Sequence, residues 1–238
     1  MTSGDPLPTV LVPGLMCSAR LYAGQIPALW RFGPVLVADH RRDDRMEAIA
    51  RRVLETAPPR FALVGLSMGG YIALSLLRQA PERVAGLALL DSSARADRPE
   101  QTARRQELIA LAEGGRLDEL VDIHFPQFVH RDRLADSELK SIVRRMAEET
   151  GAEAYVRQQH AIMARADARD RLAEIRCPTL VLVGDGDELT PPKLSQEIAA
   201  ATAGSRLVVV PECGHLSTLE RPETVNAALA DWMASIPA

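Results

Sequence analysis

Short runs of β-branched and aliphatic residues recur along this chain of 238 residues, and each is followed by a longer amphipathic stretch. Thr9 to Val12 runs into Pro13 and Gly14, Pro34 to Val37 into Asp39, and Phe61 to Val64 into Gly65. Val84 to Leu90 ends at Asp91, Thr179 to Val183 at Gly184, and Arg206 to Val210 at Pro211. These runs are continuous rather than alternating, which is how strands read when both faces are covered. With helical patterns between them they predict an α/β fold: a doubly wound parallel sheet of about six strands.

The helical stretches have their own signals. Met46, Ile49, Ala50, Val53 and Leu54 repeat at helical spacing, and Asp44 with Glu47 three residues on reads as a capping box that opens them. Thr190 and Pro191 read as an N-cap and first helical position, with Gly204 ending that helix. Arg221, Pro222 and Glu223 open a last helix through Val225, Leu229 and Trp232.

One stretch breaks the alternation. Residues 95–170 hold no clear strand, only amphipathic patterns: Leu139, Ile142, Val143 and Met146 share a face, as do Tyr155, Gln159, Ile162 and Met163. Ligands of open α/β sheets bind outside the carboxyl ends of the strands. A helical insertion between the fourth and fifth strands starts and ends there, so it is expected to be a cap, or lid, over a site. The expected division is a core of residues 1–94 and 171–238 and a cap of residues 95–170, within one domain.

Composition narrows the function. Hydrophobic residues at 47% and charged ones at 25% exclude a disordered chain. A net charge of −4 argues against a nucleic-acid partner, which needs a basic excess, and 4% aromatics leave few stacking platforms. Cys17, Cys177 and Cys213 are odd in number and widely spaced, so neither a disulfide framework nor a metal site is expected. No run of about 18 apolar residues is present, and Met1 to Pro8 lacks the pattern of a secretory leader. A soluble, cytoplasmic protein without a membrane partner is the expectation.

The chemistry gathers in four loops. Gly65-Leu66-Ser67-Met68-Gly69-Gly70 lies between a strand and a helix. That is the setting of a nucleophile elbow, whose sharp turn lifts a serine hydroxyl into the open. The N–H of Met68, at the start of the helix, is then placed for a developing oxyanion. A serine hydroxyl is a weak nucleophile and needs a base, and the base needs an orienting carboxylate. His215 follows the last strand, on the same sheet edge as Ser67. His124, His130 and His160 fall in the insertion, where an exposed role is the default, and His40 sits among charged residues that read as a solvated turn. For the carboxylate, Asp187 in the loop after the fifth strand is preferred. Asp91, at the end of the fourth strand, is a rival, and Asp185 reads as a turn-former. Gly14, after the first strand, allows close approach of the backbone, and the N–H of Leu15 is the natural second oxyanion donor.

With these residues in place the chain resembles the α/β-hydrolase fold superfamily, and within it serine hydrolases of the esterase and enol-lactonase type with a helical cap. The order Ser67, Asp187, His215 is that family's order. Two departures stand out: the usual opening antiparallel hairpin is missing, giving a six-stranded version, and Pro13 stands where the family has a histidine. The resemblance implies an acyl-enzyme on Ser67, with no cofactor and no metal. Leu15, Met16, Met68, Phe125 and Phe128 are the expected pocket walls, with Gly14 beside them. Their apolar character points to a small-to-medium, largely uncharged ester or lactone. A lyase, a carbon–carbon bond hydrolase or an acyltransferase would use similar residues, and a slow-turnover ligand receptor is the alternative from another class.

Overall fold

A computed structural model describes residues 6–237. The chain opens with β1 (Thr9–Val12), α1 (Gln25–Trp30), β2 (Val35–Val37) and α2 (Met46–Thr56). It continues through β3 (Phe61–Leu66), α3 (Met68–Gln79) and β4 (Val84–Leu90). Four helices follow without a strand: α4 (Pro99–Glu113), α5 (Leu117–Phe128), α6 (Ser137–Thr150) and α7 (Ala152–Met163). The chain then returns to the sheet as β5 (Thr179–Gly184), α8 (Pro192–Ala201) and β6 (Arg206–Val210), and closes with α9 (Ser217–Glu220) and α10 (Pro222–Ala234).

The six strands form one sheet in the order β2-β1-β3-β4-β5-β6, every neighbouring pair parallel. All residues of β1, β3 and β5 are buried, as their unbroken apolar runs require, while edge strand β6 exposes Val209. The order turns back at β1: the chain leaves it for β2 on one side, and after β3 it proceeds through β4 to β6 on the other. Loops after β1 and β3 therefore diverge and leave a crevice at the carboxyl edge. Gly14 and Leu15 lie in one of these loops and Ser67 in the other.

Two helix starts differ from expectation. The N-cap of α2 is Arg45, with no side-chain cap bond, and the Asp44–Glu47 box does not form. Glu47 is taken by Arg78 at 3.0 Å, a partner from another element that a local pattern does not reveal. Helix α8 starts at Pro192 with Pro191 as N-cap, because the Thr190 hydroxyl donates to Asp187 instead. Gly204, at φ +71°, makes the turn into β6 three residues after α8 has ended.

The insertion is fastened to the sheet edge at the end of α5. Leu216 N–H donates to Phe128 O at 2.9 Å. Buried Glu220 accepts from His130 N–H at 2.8 Å and from Gly214 N–H at 2.9 Å, one on each carboxylate oxygen. A Cβ on Gly214 would run into the backbone at Val129 and His130, so only glycine lets these segments approach so closely. Leu139, Val143 and Met146 of α6 face inward, as do Tyr155, Gln159 and Ile162 of α7. Among the described residues no helix is long and apolar enough to cross a membrane.

Candidate active site

Ser67 occupies the single residue between β3 and α3 with φ 54° and ψ −117°, a region that side-chain-bearing residues rarely adopt. Close contacts enforce the conformation. A Cβ on Gly69 would collide with the Val12 carbonyl, and one on Gly65 with the backbone of Gly69, so helix, elbow and β1 meet with no room for side chains. Ser92 Oγ donates to Ser67 O at 2.9 Å, which fixes the elbow from the β4 side. Ser67 is half-buried and lines a cavity at the sheet edge.

His215 and Asp187 meet in the next two loops along the edge. His215 Nδ1 lies 2.8 Å from Asp187 Oδ2, and both side chains are sealed from solvent. The carboxylate is saturated: Oδ1 accepts the N–H groups of Leu189 and Thr190 at 2.9 Å each, and Oδ2 also accepts the Thr190 hydroxyl at 2.6 Å. An acceptor-only carboxylate assigns the Nδ1 proton to the imidazole and leaves Nε2 as its base. Burial opposes ionisation of His215, but the charge and hydrogen bond of Asp187 outweigh it and hold the imidazole above its ordinary value. Burial likewise opposes the Asp187 anion, and the same partner with Thr190 brings that carboxyl below its usual range.

Asp91, the rival carboxylate, is equally buried but turns to other partners. It accepts Gly184 N–H at 2.9 Å and pairs with the Ser217 hydroxyl. Burial, then the neighbouring Asp187 charge, push Asp91 well above the carboxylate range, so it stays protonated where Asp187 is ionised. Asp185 is exposed, and its carboxylate accepts Cys213 N–H at 3.2 Å, a turn-forming bond.

The loop after β1 is held from both sides. His40 Nε2 lies 2.9 Å from Gly14 O, and Met16 N–H donates to Gln158 Oε1 of α7 at 3.0 Å. Met16 has φ 60°, so the chain turns sharply between these anchors. Both anchors are buried: His40 belongs to no solvated turn, and burial lowers its pKa. Among the described residues the N–H groups of Leu15 and Met68 have no hydrogen-bond acceptor.

The cavity measures about 820 Å³. Gly14, Leu15, Ser67, His124, Phe128 and His215 line it, whereas Met16, Met68 and Phe125 do not. Met16 and Met68 are buried in the core, and Phe125 packs inward, with Lys140 Nζ 5.8 Å from its ring centre. The wall is instead supplied largely by the two ends of the insertion, and the lining as a whole is charged, with seven basic and four acidic side chains, Lys193 and Glu188 of the core among them. Most of the apolar residues next to the motifs, whose character points to an uncharged substrate, lie away from the cavity. His124 and His130 are buried rather than exposed, while His160 is exposed. No single pattern marks Thr190, Gln158 or His124. Polar Gln159 on the apolar face of α7 is the one visible signal, since a buried amide needs partners. Among the described residues no group of three or more His, Cys, Asp or Glu side chains is arranged to hold a metal ion.

A sequence profile described as the alpha/beta hydrolase family matches residues 9–228, and the chain belongs to that family. It is 27% identical over 221 residues to a pimeloyl-[acyl-carrier protein] methyl ester esterase of Neisseria meningitidis serogroup C, covering 89% of this chain and 86% of that one. A thermophilic esterase from Thermogutta terrifontis superposes with a TM-score of 0.85 at 28% identity, over 99% of this chain and 92% of the other. The enol-lactonase from Burkholderia xenovorans LB400 superposes with a TM-score of 0.86 at 25% identity, over 99% and 94%.

Proposed function

We propose that the protein is a serine hydrolase of carboxylic esters or lactones, working through an acyl-enzyme on Ser67. The observation that carries this reading is the 2.8 Å bond between Asp187 and His215, buried at the edge of the cavity that Ser67 also lines. The esterase and the enol-lactonase among the similar structures support the same reaction class.

In this reading Ser67 Oγ attacks the carbonyl carbon while His215 Nε2 takes its proton. Asp187 holds the imidazole tautomer and stabilises the imidazolium. The oxyanion accepts from the N–H groups of Leu15 and Met68, which have no other acceptor among the described residues and lie in the loop after β1 and at the start of α3, on either side of the crevice. The tetrahedral intermediate expels the alkoxide, which receives the proton from His215. Water, deprotonated by His215, then attacks the acyl carbon and releases the acid and Ser67. Residues 95–170 act as a cap: both ends of the stretch line the outer cavity, and α7 braces the Leu15 loop through Gln158.

A fluorophosphonate probe tests the reading together with a panel of esters and lactones of graded acyl length. The expected result is one covalent adduct per chain, lost in Ser67→Ala, with turnover of at least one ester class. Full turnover by Ser67→Ala would contradict it.

A further inference from the structure

A buried chain of hydrogen bonds crosses the insertion from Arg105 to His124. Arg105 Nη1 donates to Gln159 Oε1 at 2.8 Å, and Gln159 Nε2 donates to the Tyr155 hydroxyl at 2.6 Å. That hydroxyl stands 2.8 Å from His124 Nε2. The guanidinium, which only donates, sets the direction of the whole chain: Tyr155 accepts from Gln159 and gives its own proton to His124 Nε2. A neutral His124 therefore carries its proton on Nδ1, which has no partner among the described residues. Burial, then the charges of Arg105 and Arg104, bring His124 down to about 4, so it is neutral at physiological pH.

At the other end two guanidinium groups meet one carboxylate. Arg105 and Arg165 share one carboxylate, Asp97, at 2.6 and 2.7 Å, and the Asp97 side chain is 1% exposed. Arg165 is otherwise occupied, donating to the carbonyls of Arg95 and Ile162 and covering the Tyr71 ring at 4.2 Å. Arg105 spends Nε on Asp97 and Nη1 on neutral Gln159, leaving Nη2 without a partner among the described residues. A largely buried cation that is only half neutralised is unfavourable unless an anion completes it.

Arg105 and His124 both line the cavity of Ser67 and His215. Phe128 lies between the two imidazoles on the cavity wall, stacking on His124 at 5.2 Å and lying 6.0 Å from the His215 ring. We propose that Arg105 and His124 form a carboxylate-binding subsite, so that the acyl part of the substrate ends in a carboxylate. The substrate class is then the half-esters of dicarboxylic acids, or lactones that carry a carboxylate. This rests on the ester-hydrolase reading above and replaces an uncharged acyl group with an anionic one. The far carboxylate accepts from Arg105 Nη2 and His124 Nδ1 while the ester carbonyl lies at Ser67. Hydrolysis converts the half-ester anion and water into the dicarboxylate dianion, an alcohol and a proton released to solvent, and the Phe128 face guides the aliphatic segment between the two carboxyl ends.

The test compares monomethyl adipate with methyl hexanoate, which match in acyl length and differ in charge. A charge-assisted pair of donors predicts a kcat/KM at least about tenfold higher for the anionic ester. Arg105→Met brings that ratio close to one, and Arg105→Lys, which keeps the charge, retains part of the preference. Tyr155→Phe removes one hydroxyl from the chain and also lowers the ratio, which covers the case of an Arg105→Met protein that does not fold. Calorimetry of adipate binding to Ser67→Ala reads the subsite without turnover, and binding is expected there and lost with Arg105→Met. A wild-type ratio of one or less, or adipate binding indifferent to Arg105, overturns the subsite while neutral-ester turnover leaves the hydrolase reading intact. Failure of both esters together with an unlabelled Ser67 overturns the hydrolase reading, and adipate binding then decides the subsite alone.

Discussion

Gln158 of α7 accepts the N–H of Met16 at 3.0 Å, so the helical insertion is tied directly to the loop that presents the Leu15 N–H. The contact is fully buried, and the peptide between Gly14 and Leu15 is caught between it and the His40 bond to Gly14 O. An oxyanion donor is useful only if its direction is set before the charge develops. In the proposed mechanism Gln158 is therefore a positioning residue, acting through the loop rather than on the substrate.

Gln158→Leu leaves the Met16 N–H buried without an acceptor, which costs about 1–3 kcal/mol of stability. Its kcat is expected to fall at least about tenfold with little change in KM, because the lost interaction matters chiefly in the transition state. Steady-state kinetics beside a thermal melt separates the two effects. A melting point that drops while kcat stays constant would remove Gln158 from the catalytic account.

The pH profile follows from the His215–Asp187 pair. The imidazole must be neutral to accept the Ser67 proton, and its pKa is raised above the ordinary 6.5. Raising it keeps the inactive protonated form to higher pH, so kcat/KM is lost on acidification through a midpoint above 6.5 rather than below it. Asp187→Asn removes the charge that holds this value up, leaving burial to lower it. Residual activity should then fall by orders of magnitude at neutral pH, with its acid limb displaced downward. An unchanged midpoint in the variant would show that the limb belongs to another group.

Much of this arrangement is legible in the sequence, and the parts that are not share a cause. Parallel strands buried on both faces leave unbroken runs such as Thr179 to Val183, and the edge strands β2 and β6 keep apolar runs although they are only partly buried, so all six strands are readable. Ser67 follows such a run directly and His215 follows one after a short loop, which places them on one edge before any contact is known. A choice between Asp187 and Asp91 is harder, since both end at that edge. It depends on the path of the loop through Thr190, whose side chain turns to Asp187 rather than capping α8. Periodicity shows that α7 has an inward face, but not that Gln158 meets Met16 or that Gln159 meets Arg105. The charged cavity wall is hidden for the same reason: which part of an insertion descends to a site is a tertiary property. The Asp44–Glu47 box shows the converse, a sound local signal lost because Arg78 reaches Glu47 from another helix.

Gly69 carries the tightest constraint at the elbow. Gly69→Ala would drive a methyl group into the Val12 carbonyl, and a backbone oxygen in a central strand has nowhere to go. Helix α3 must shift from β1, at a cost of about 1–3 kcal/mol or more. A urea titration should show the midpoint falling, with activity falling further because Met68 and Ser67 move with the helix. Wild-type stability in this variant would mean that the contact relaxes freely.

Cys17 lines the cavity, yet it is expected to be unreactive. Burial pushes its thiol up to about 12, and Sγ donates to Leu15 O at 3.3 Å. Only the thiolate is nucleophilic, so at neutral pH almost none is present. Iodoacetamide should leave ester turnover unchanged over hours, with Cys17 unmodified in a peptide map. Rapid inactivation with alkylation at Cys17 would show an accessible thiolate.

Covalent catalysis by Ser67 is put to the test by rapid-quench mass spectrometry with a slowly deacylated p-nitrophenyl ester. An acyl-enzyme on Ser67 gives a burst of one nitrophenolate per chain and a transient mass increase equal to the acyl group, mapped to the peptide containing Ser67. Both are expected to vanish in Ser67→Ala. An acyl group on any other residue, or steady turnover by Ser67→Ala at the wild-type rate, would contradict the account.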